Sequence, residues 1–151
     1  MAISTTQSIW RSGGGDQTRT AYCGSGVMAA QFYIADASVA TATNVTVSSA
    51  SGAPALILPA GAVVLGVYIN DAGSGSVDIG TRGYNSGTVS GAAIANNLSV
   101  ASAGVVTSGL TLSPTTALSY VTATIDTSGS GTVGGYITYF VVDPQVGQQN
   151  D

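Results

Sequence analysis

The side chains that could move protons in this 151-residue chain are few and nearly all of one kind: seven Asp and no Glu, Lys or His. Two carboxylates whose surroundings push their pKa values apart are enough for glycoside or peptide hydrolysis. Asp71, Asp78 and Asp126 are the mid-chain candidates. Each stands beside a Gly/Ser turn signal, where Asp serves as a turn former through its side chain. General acid-base chemistry near neutral pH otherwise relies on His, or on Glu or Lys with a shifted pKa, and the chain has none of these. The serines therefore lack a partner that could make one of them a nucleophile. Cys23, the single cysteine, has no internal disulfide partner and no base to lower its pKa. No catalytic residue is assigned, and the expected role is non-enzymatic.

Binding chemistry is similarly restricted. Arg11, Arg19 and Arg82 are the only cations and the net charge is -4, so the basic stripe that phosphate backbones require is missing and no nucleic-acid partner is expected. Gly13-Gly14-Gly15 and Gly73 to Gly75 are followed by no Lys and open no helix, so they are not phosphate cradles. Two segments echo each other: Ile69 to Val77 and Ile125 to Val133 share an Ile, an Asn or Asp, and a Gly-Ser-Gly-Ser/Thr-Val tail. Both read as hairpin loops. Calcium would need several more oxygen ligands per loop, so neither a metal nor a cofactor is expected. Asn44-Val45-Thr46 and Asn97-Leu98-Ser99 match the glycosylation acceptor pattern by chance in a chain with no secretion signal.

Contact residues are the better candidates. Six of the seven tyrosines fall outside the loops, and Tyr84 sits in one, Thr81-Arg82-Gly83-Tyr84-Asn85, with a cation beside it. Arg82 and Tyr84 are therefore expected to form an exposed recognition element. The other candidates are Trp10, Arg11 and Arg19, in a Gly/Ser/Thr-rich stretch without periodicity. A Trp next to an Arg is the pairing most enriched among interface anchors, so the expectation is an arm that clasps a partner.

The elements that must position these residues are strands. Only 7% of the residues are charged, and Val, Ile, Thr and Tyr alternate with Gly, Ser and Asn in place of helix formers. Strands are expected at Val27 to Ile34, Val39 to Ser48, Ala55 to Leu58, Ala62 to Asn70, Ser76 to Gly80, Leu98 to Ala101, Val105 to Ser108, Leu118 to Asp126 and Val133 to Val142. Eight or nine strands with no room for crossover helices imply an all-β, antiparallel β-sandwich. The division is an extended N-terminal arm at residues 1–26, a sandwich at 27–143 and a C-terminal tail at 144–151. Val63 to Ile69 is apolar on both faces, which calls for a second cover from another subunit, with a trimer favoured. The first ten residues have neither the charged nor the apolar region of a secretion signal. The longest apolar stretch, broken by Pro54, Pro59, Gly61 and Gly66, is too short to span a bilayer, so cytoplasmic synthesis without a membrane partner is expected.

Leu58-Pro59-Ala60-Gly61-Ala62-Val63-Val64-Leu65-Gly66-Val67-Tyr68-Ile69, continuing through the Gly/Ser loop to Val77-Asp78-Ile79-Gly80-Thr81, resembles a pattern in small head or virion proteins of tailed bacteriophages. The late Leu118-Ser119-Tyr120 strand, the Gly/Thr loop and the closing strand Val133 to Val142 extend the likeness over residues 55–142. The resemblance implies a jelly-roll-like sandwich on the capsid surface of the virion. It would decorate or cement the shell, often as a trimer over a symmetry axis, with the major capsid protein or another virion protein as partner. It brings no catalytic residues. The long polar arm and the lack of Lys and Glu depart from the pattern. The alternatives are a tail, fibre or spike component that binds a host surface glycan, and an exported adhesive sandwich.

Overall fold

The structure is a computed structural model that describes residues 27–142. The proposed arm and tail, and with them Trp10, Arg11, Arg19 and Cys23, lie outside the described residues. Nine strands are present and no helix among the described residues: β1 (Met28–Ile34), β2 (Thr43–Asn44), β3 (Ile57–Leu58), β4 (Ala62–Asp71), β5 (Ser74–Gly83), β6 (Val89–Ser99), β7 (Gly104–Val106), β8 (Ser119–Ser130) and β9 (Val133–Val141). One sheet has the order β1-β9-β4-β7 and the other β2-β8-β5-β6, with β3 also paired to β8. Every pairing is antiparallel.

The order has a simple origin. The pairs β1·β9, β2·β8, β4·β7 and β5·β6 form one long antiparallel hairpin whose tip is the turn after β5, and successive pairs alternate between the two sheets. Rolling the hairpin brings β9 beside β4 and β8 beside β5, which gives the jelly-roll-like arrangement. Side chains alternate across each strand, so the inner faces supply one core that includes Phe32, Ile34, Leu58, Val67, Ile69, Val77, Ile79, Leu98, Val121, Val133 and Ile137.

The two echoed Gly/Ser segments are not hairpin loops. β4 and β5 lie in different sheets, as do β8 and β9, so each segment is an arch that carries the chain from one sheet to the other. The turn chemistry was legible; the destination of the next strand is set by burial of Ile69, Val77 and Val133 on facing layers. The arches lie side by side, with Ser74 opposite Ser130 and Asp71 opposite Gly134. Their hydroxyls meet, Ser74 Oγ to Ser130 Oγ, at 2.6 Å.

Other departures follow from packing. The expected Val39 to Ser48 strand shrinks to Thr43–Asn44, since its Ser, Thr and Ala residues bring little apolar surface to a ladder. β6 is much longer than the expected Leu98 to Ala101, because small residues from Val89 to Ala95 read as a loop yet pair with β5 through two register shifts. Asp78 and Asp126 lie within β5 and β8, where the expected spans Ser76 to Gly80 and Leu118 to Asp126 place them. β4 carries apolar side chains outward as well as inward: Val63 is buried opposite Phe140, while Leu65, in a bulge between Val64 and Gly66, and Tyr68 are exposed.

Gly75 has φ +74, and a Cβ there would overlap the Thr127 carbonyl oxygen and the Gly129 amide of the neighbouring arch. Gly52 has a similar φ of +77 with nothing around it. Gly52→Ala should therefore cost only the left-handed penalty of about 1–2 kcal/mol, and Gly75→Ala about 3 kcal/mol or more. Equal losses in denaturant titrations would contradict the side-by-side packing of the arches.

Candidate functional site

The candidate contact residues Arg82 and Tyr84 lie at the tip of the rolled hairpin. β5 ends at Gly83, and the Gly83 amide donates to the Thr88 carbonyl at 3.0 Å while the Gly87 amide donates to the Gly83 carbonyl at 3.0 Å. The Tyr84 amide donates to the Leu118 carbonyl at 3.1 Å, which ties this turn to the start of β8. Register does the rest. Tyr120 lies opposite Arg82 on one side and Ile57 on the other, and Arg82 lies opposite Val89. Cross-strand partners project to the same face.

On that outer face the Arg82 guanidinium carbon stands 5.1 Å from the centre of the Tyr120 ring. The Tyr84 ring stacks on the same ring with centroids 5.1 Å apart and planes inclined by 25°. A guanidinium over a Tyr face is held by the ring quadrupole, worth about 0.5–1 kcal/mol at an exposed site. The stack of two rings adds a similar amount. Around this trio lie Ile57, Val89 and Leu118, each between 37% and 47% exposed, with Tyr84 itself at 46%. The structure brings Arg82 and Tyr84 together against Tyr120. Tyr120 is not among the candidates the sequence offers, and the Leu118/Tyr120 alternation with Ser119/Val121 is the signal that places its ring outward.

A second outward row crosses the other sheet. Gln31, Tyr136, Tyr68 and Val105 are successive cross-strand partners on β1, β9, β4 and β7, and the last three are well exposed. Both sheets therefore offer aromatic surface with almost no charge.

The carboxylates do structural duty. Asp78 Oδ1 accepts the Asn97 amide at 2.8 Å, which holds Asn97 at φ 57 in the irregular part of β6. Asp126 Oδ2 accepts the Ser76 and Thr127 hydroxyls at 3.1 and 3.0 Å. Among the described residues no three potential metal-ligating side chains gather, and no helix is long and apolar enough to cross a membrane.

Asp36, in the turn after β1, accepts the Ser38 hydroxyl at 2.6 Å and the Ser38 amide at 2.8 Å. These bonds favour the ionised form and hold its pKa below the ordinary 3.8, the hydroxyl contributing most. A carboxyl with a depressed folded pKa stabilises the fold at pH above its unfolded value, and that contribution fades as pH falls through the folded value. Carboxyl NMR titration should place the Asp36 midpoint below 3.8, and Ser38→Ala should move it upward. A midpoint that Ser38→Ala leaves unchanged would contradict the assignment.

No protein-family model matches the chain, and no curated protein matches it. Among solved structures it is similar to a chain of the cyanophage Pam1 capsid asymmetric unit, at 21% identity and a TM-score of 0.48, covering 79% of this chain and 87% of that one. A likeness of that degree carries no argument about function.

Proposed function

We propose that the chain is a non-catalytic structural protein of a phage virion that decorates or cements the capsid by bridging capsid subunits, as a homo-oligomer with a trimer favoured. The observation that carries the reading is the Arg82–Tyr120–Tyr84 cluster set within exposed Ile57, Val89 and Leu118. Tyr and Arg surrounded by apolar side chains make the composition most enriched among residues that dominate protein–protein binding. Ring stacking holds two of the three side chains before any partner arrives, so little rotamer entropy is lost on contact. The rest of the described surface supports the same use. Outside the cluster it holds four charged side chains, Asp36, Asp71, Asp78 and Asp126, and is otherwise clothed in small hydroxylated and apolar groups that pack against neighbours without desolvating ions.

A cement protein stabilises a shell by crossing the joints between its subunits. Apolar area removed from water contributes roughly 25 cal/mol per Å² before association costs are subtracted, and many symmetric copies turn weak contacts into strong avidity. The resemblance of residues 55–142 to small phage virion proteins agrees with such a role. A second reading, a tail or fibre component that binds glycan, is favoured by the same Tyr84 and Tyr120 rings, since a flat ring with a hydroxyl suits a sugar face.

The two readings separate by what the purified chain binds. Added to phage heads assembled without it, the chain should bind saturably. Tyr84→Ala combined with Arg82→Gln should weaken that binding about tenfold or more while leaving the unfolding transition nearly in place. Binding to host cell surfaces and not to heads would overturn the cement reading, as would heads that bind the double variant as tightly as the parent chain.

A further inference from the structure

Two glycines stand side by side on β9, and packing explains one of them. A Cβ on Gly135 would overlap the Tyr68 carbonyl oxygen of β4, so only glycine lets the strands lie this close. Gly134 is under no such constraint. Its φ is outside the left-handed region that favours glycine, and a Cβ built on it would meet Asp71 Cβ at 3.5 Å, Tyr33 Cδ2 at 3.8 Å and Asn70 Oδ1 at 3.9 Å, all ordinary contacts. Glycine inside a strand weakens it, and one that neither a turn nor a clash demands leaves room for a ligand to approach the backbone.

The space above Gly134 is a groove of about 290 Å³. Tyr33, Gly134 and Asp71 are successive cross-strand partners on β1, β9 and β4, so Tyr33 and Asp71 form facing walls over a floor without a side chain. A bulge in β4 between Ile69 and Asp71 makes Asn70 the extra residue and brings its amide to the same wall. Gln31, Ser48 and Ser49 complete the rim. Asp36, Asp78 and Asp126 are engaged by hydrogen bonds within the fold, whereas Asp71 is exposed at this groove, as are Gln31 and Asn70. Arg82, the single cation among the described residues, lies on the other sheet.

We propose that this groove binds a neutral saccharide, with the Tyr33 ring as platform and Asp71, Asn70 and Gln31 as hydrogen-bonding groups. Each part of the lining matches a part of a sugar. A hydroxyl both donates and accepts, so it can donate to the carboxylate while its neighbour pairs with an amide that does both. The apolar C–H face of a pyranose suits the flat Tyr33 ring, and the bare floor at Gly134 lets it settle against the strand. Asp71 without a nearby cation disfavours phosphate, sulfate and sugar acids. A lining of amides, hydroxyls and a carboxylate disfavours lipid, which could pair with none of them. Two residues along, Tyr136 and Tyr68 are both 44% exposed on the same face, so the second and third rings of a saccharide chain have aromatic surface to stack on. The groove is on the sheet opposite the Arg82 cluster, so both surfaces can be occupied at once, and the proposal does not rest on the capsid reading.

Amide NMR of the full chain, titrated to millimolar concentration with maltotriose, mannotriose, galactotriose and triacetylchitotriose, tests the proposal. At least one should shift the Tyr33, Asp71 and Gly134 signals saturably, and its monosaccharide should bind more weakly. Gly134→Ala fills the floor without a clash, so it should raise the dissociation constant about tenfold or more while leaving the unfolding midpoint unchanged or higher. Asp71→Asn, which keeps the shape and removes the charge, should weaken binding by a similar factor. No saturable shift with any of the four sugars would overturn the proposal, as would shifts confined to the surface around Tyr84 and Tyr120. Equal affinity in Gly134→Ala would do the same. A lowered unfolding midpoint in that variant would assign the glycine to packing under Tyr33 and remove the argument for a ligand, and tighter binding of a sulfated trisaccharide would contradict the role of Asp71.

Discussion

The fold depends on two chain crossings that must pass between the sheets at the same end of the sandwich and in contact. One links β4 to β5 and the other β8 to β9, and they touch backbone to backbone. A side chain on Gly75 would overlap Thr127 and Gly129, and one on Gly129 would press on the Ala37 and Ser76 carbonyls. Ile69, Val77 and Val133, at the feet of the arches, are fully buried. Glycine at the crossing and β-branched residues at its feet are therefore two halves of one requirement. The backbone must come close enough to cross, and the strands on either side must reach the core at once. The internal echo in the sequence is the trace of meeting that requirement twice.

Once the arches are fixed, β4 lies against β9 and β5 against β8 with little freedom of register, since a one-residue slip would turn each buried set outward. That register places Tyr120 between Ile57 and Arg82 and sets the turn after β5 at the tip of the rolled hairpin. The position of the Arg82, Tyr120 and Tyr84 cluster is thus a consequence of the core. A chain with so few charges has no long-range field with which to select partners, and short-range shape and aromatic contact are the means left to it.

The class of fold was legible because strand composition, turn residues and alternation agree from Val27 onward. Strand partners were less so. Nothing in Gly73-Ser74-Gly75 distinguishes a hairpin from an arch, because the same positive φ serves both, and the difference lies in which layer the next apolar residue enters. β6 was underestimated because Gly91, Ala92 and Ala93 carry no β signal of their own and pair only because β5 is already in place. Of the site, Arg82 and Tyr84 were legible from a loop that holds a cation and an aromatic ring. Tyr120 was not, since its role appears only when β8 lies beside β5. Trp10, Arg11 and Arg19 lie outside the described residues.

The central claim is that the chain acts through its surfaces, as a repeated contact on a particle. A reconstruction of the intact virion at side-chain resolution tests it most directly. The account predicts the sandwich on the outside of the head in on the order of hundreds of copies, as avidity requires, with Arg82, Tyr84 and Tyr120 buried against shell subunits. A few copies confined to the tail, or heads on which that cluster faces solvent, would contradict it.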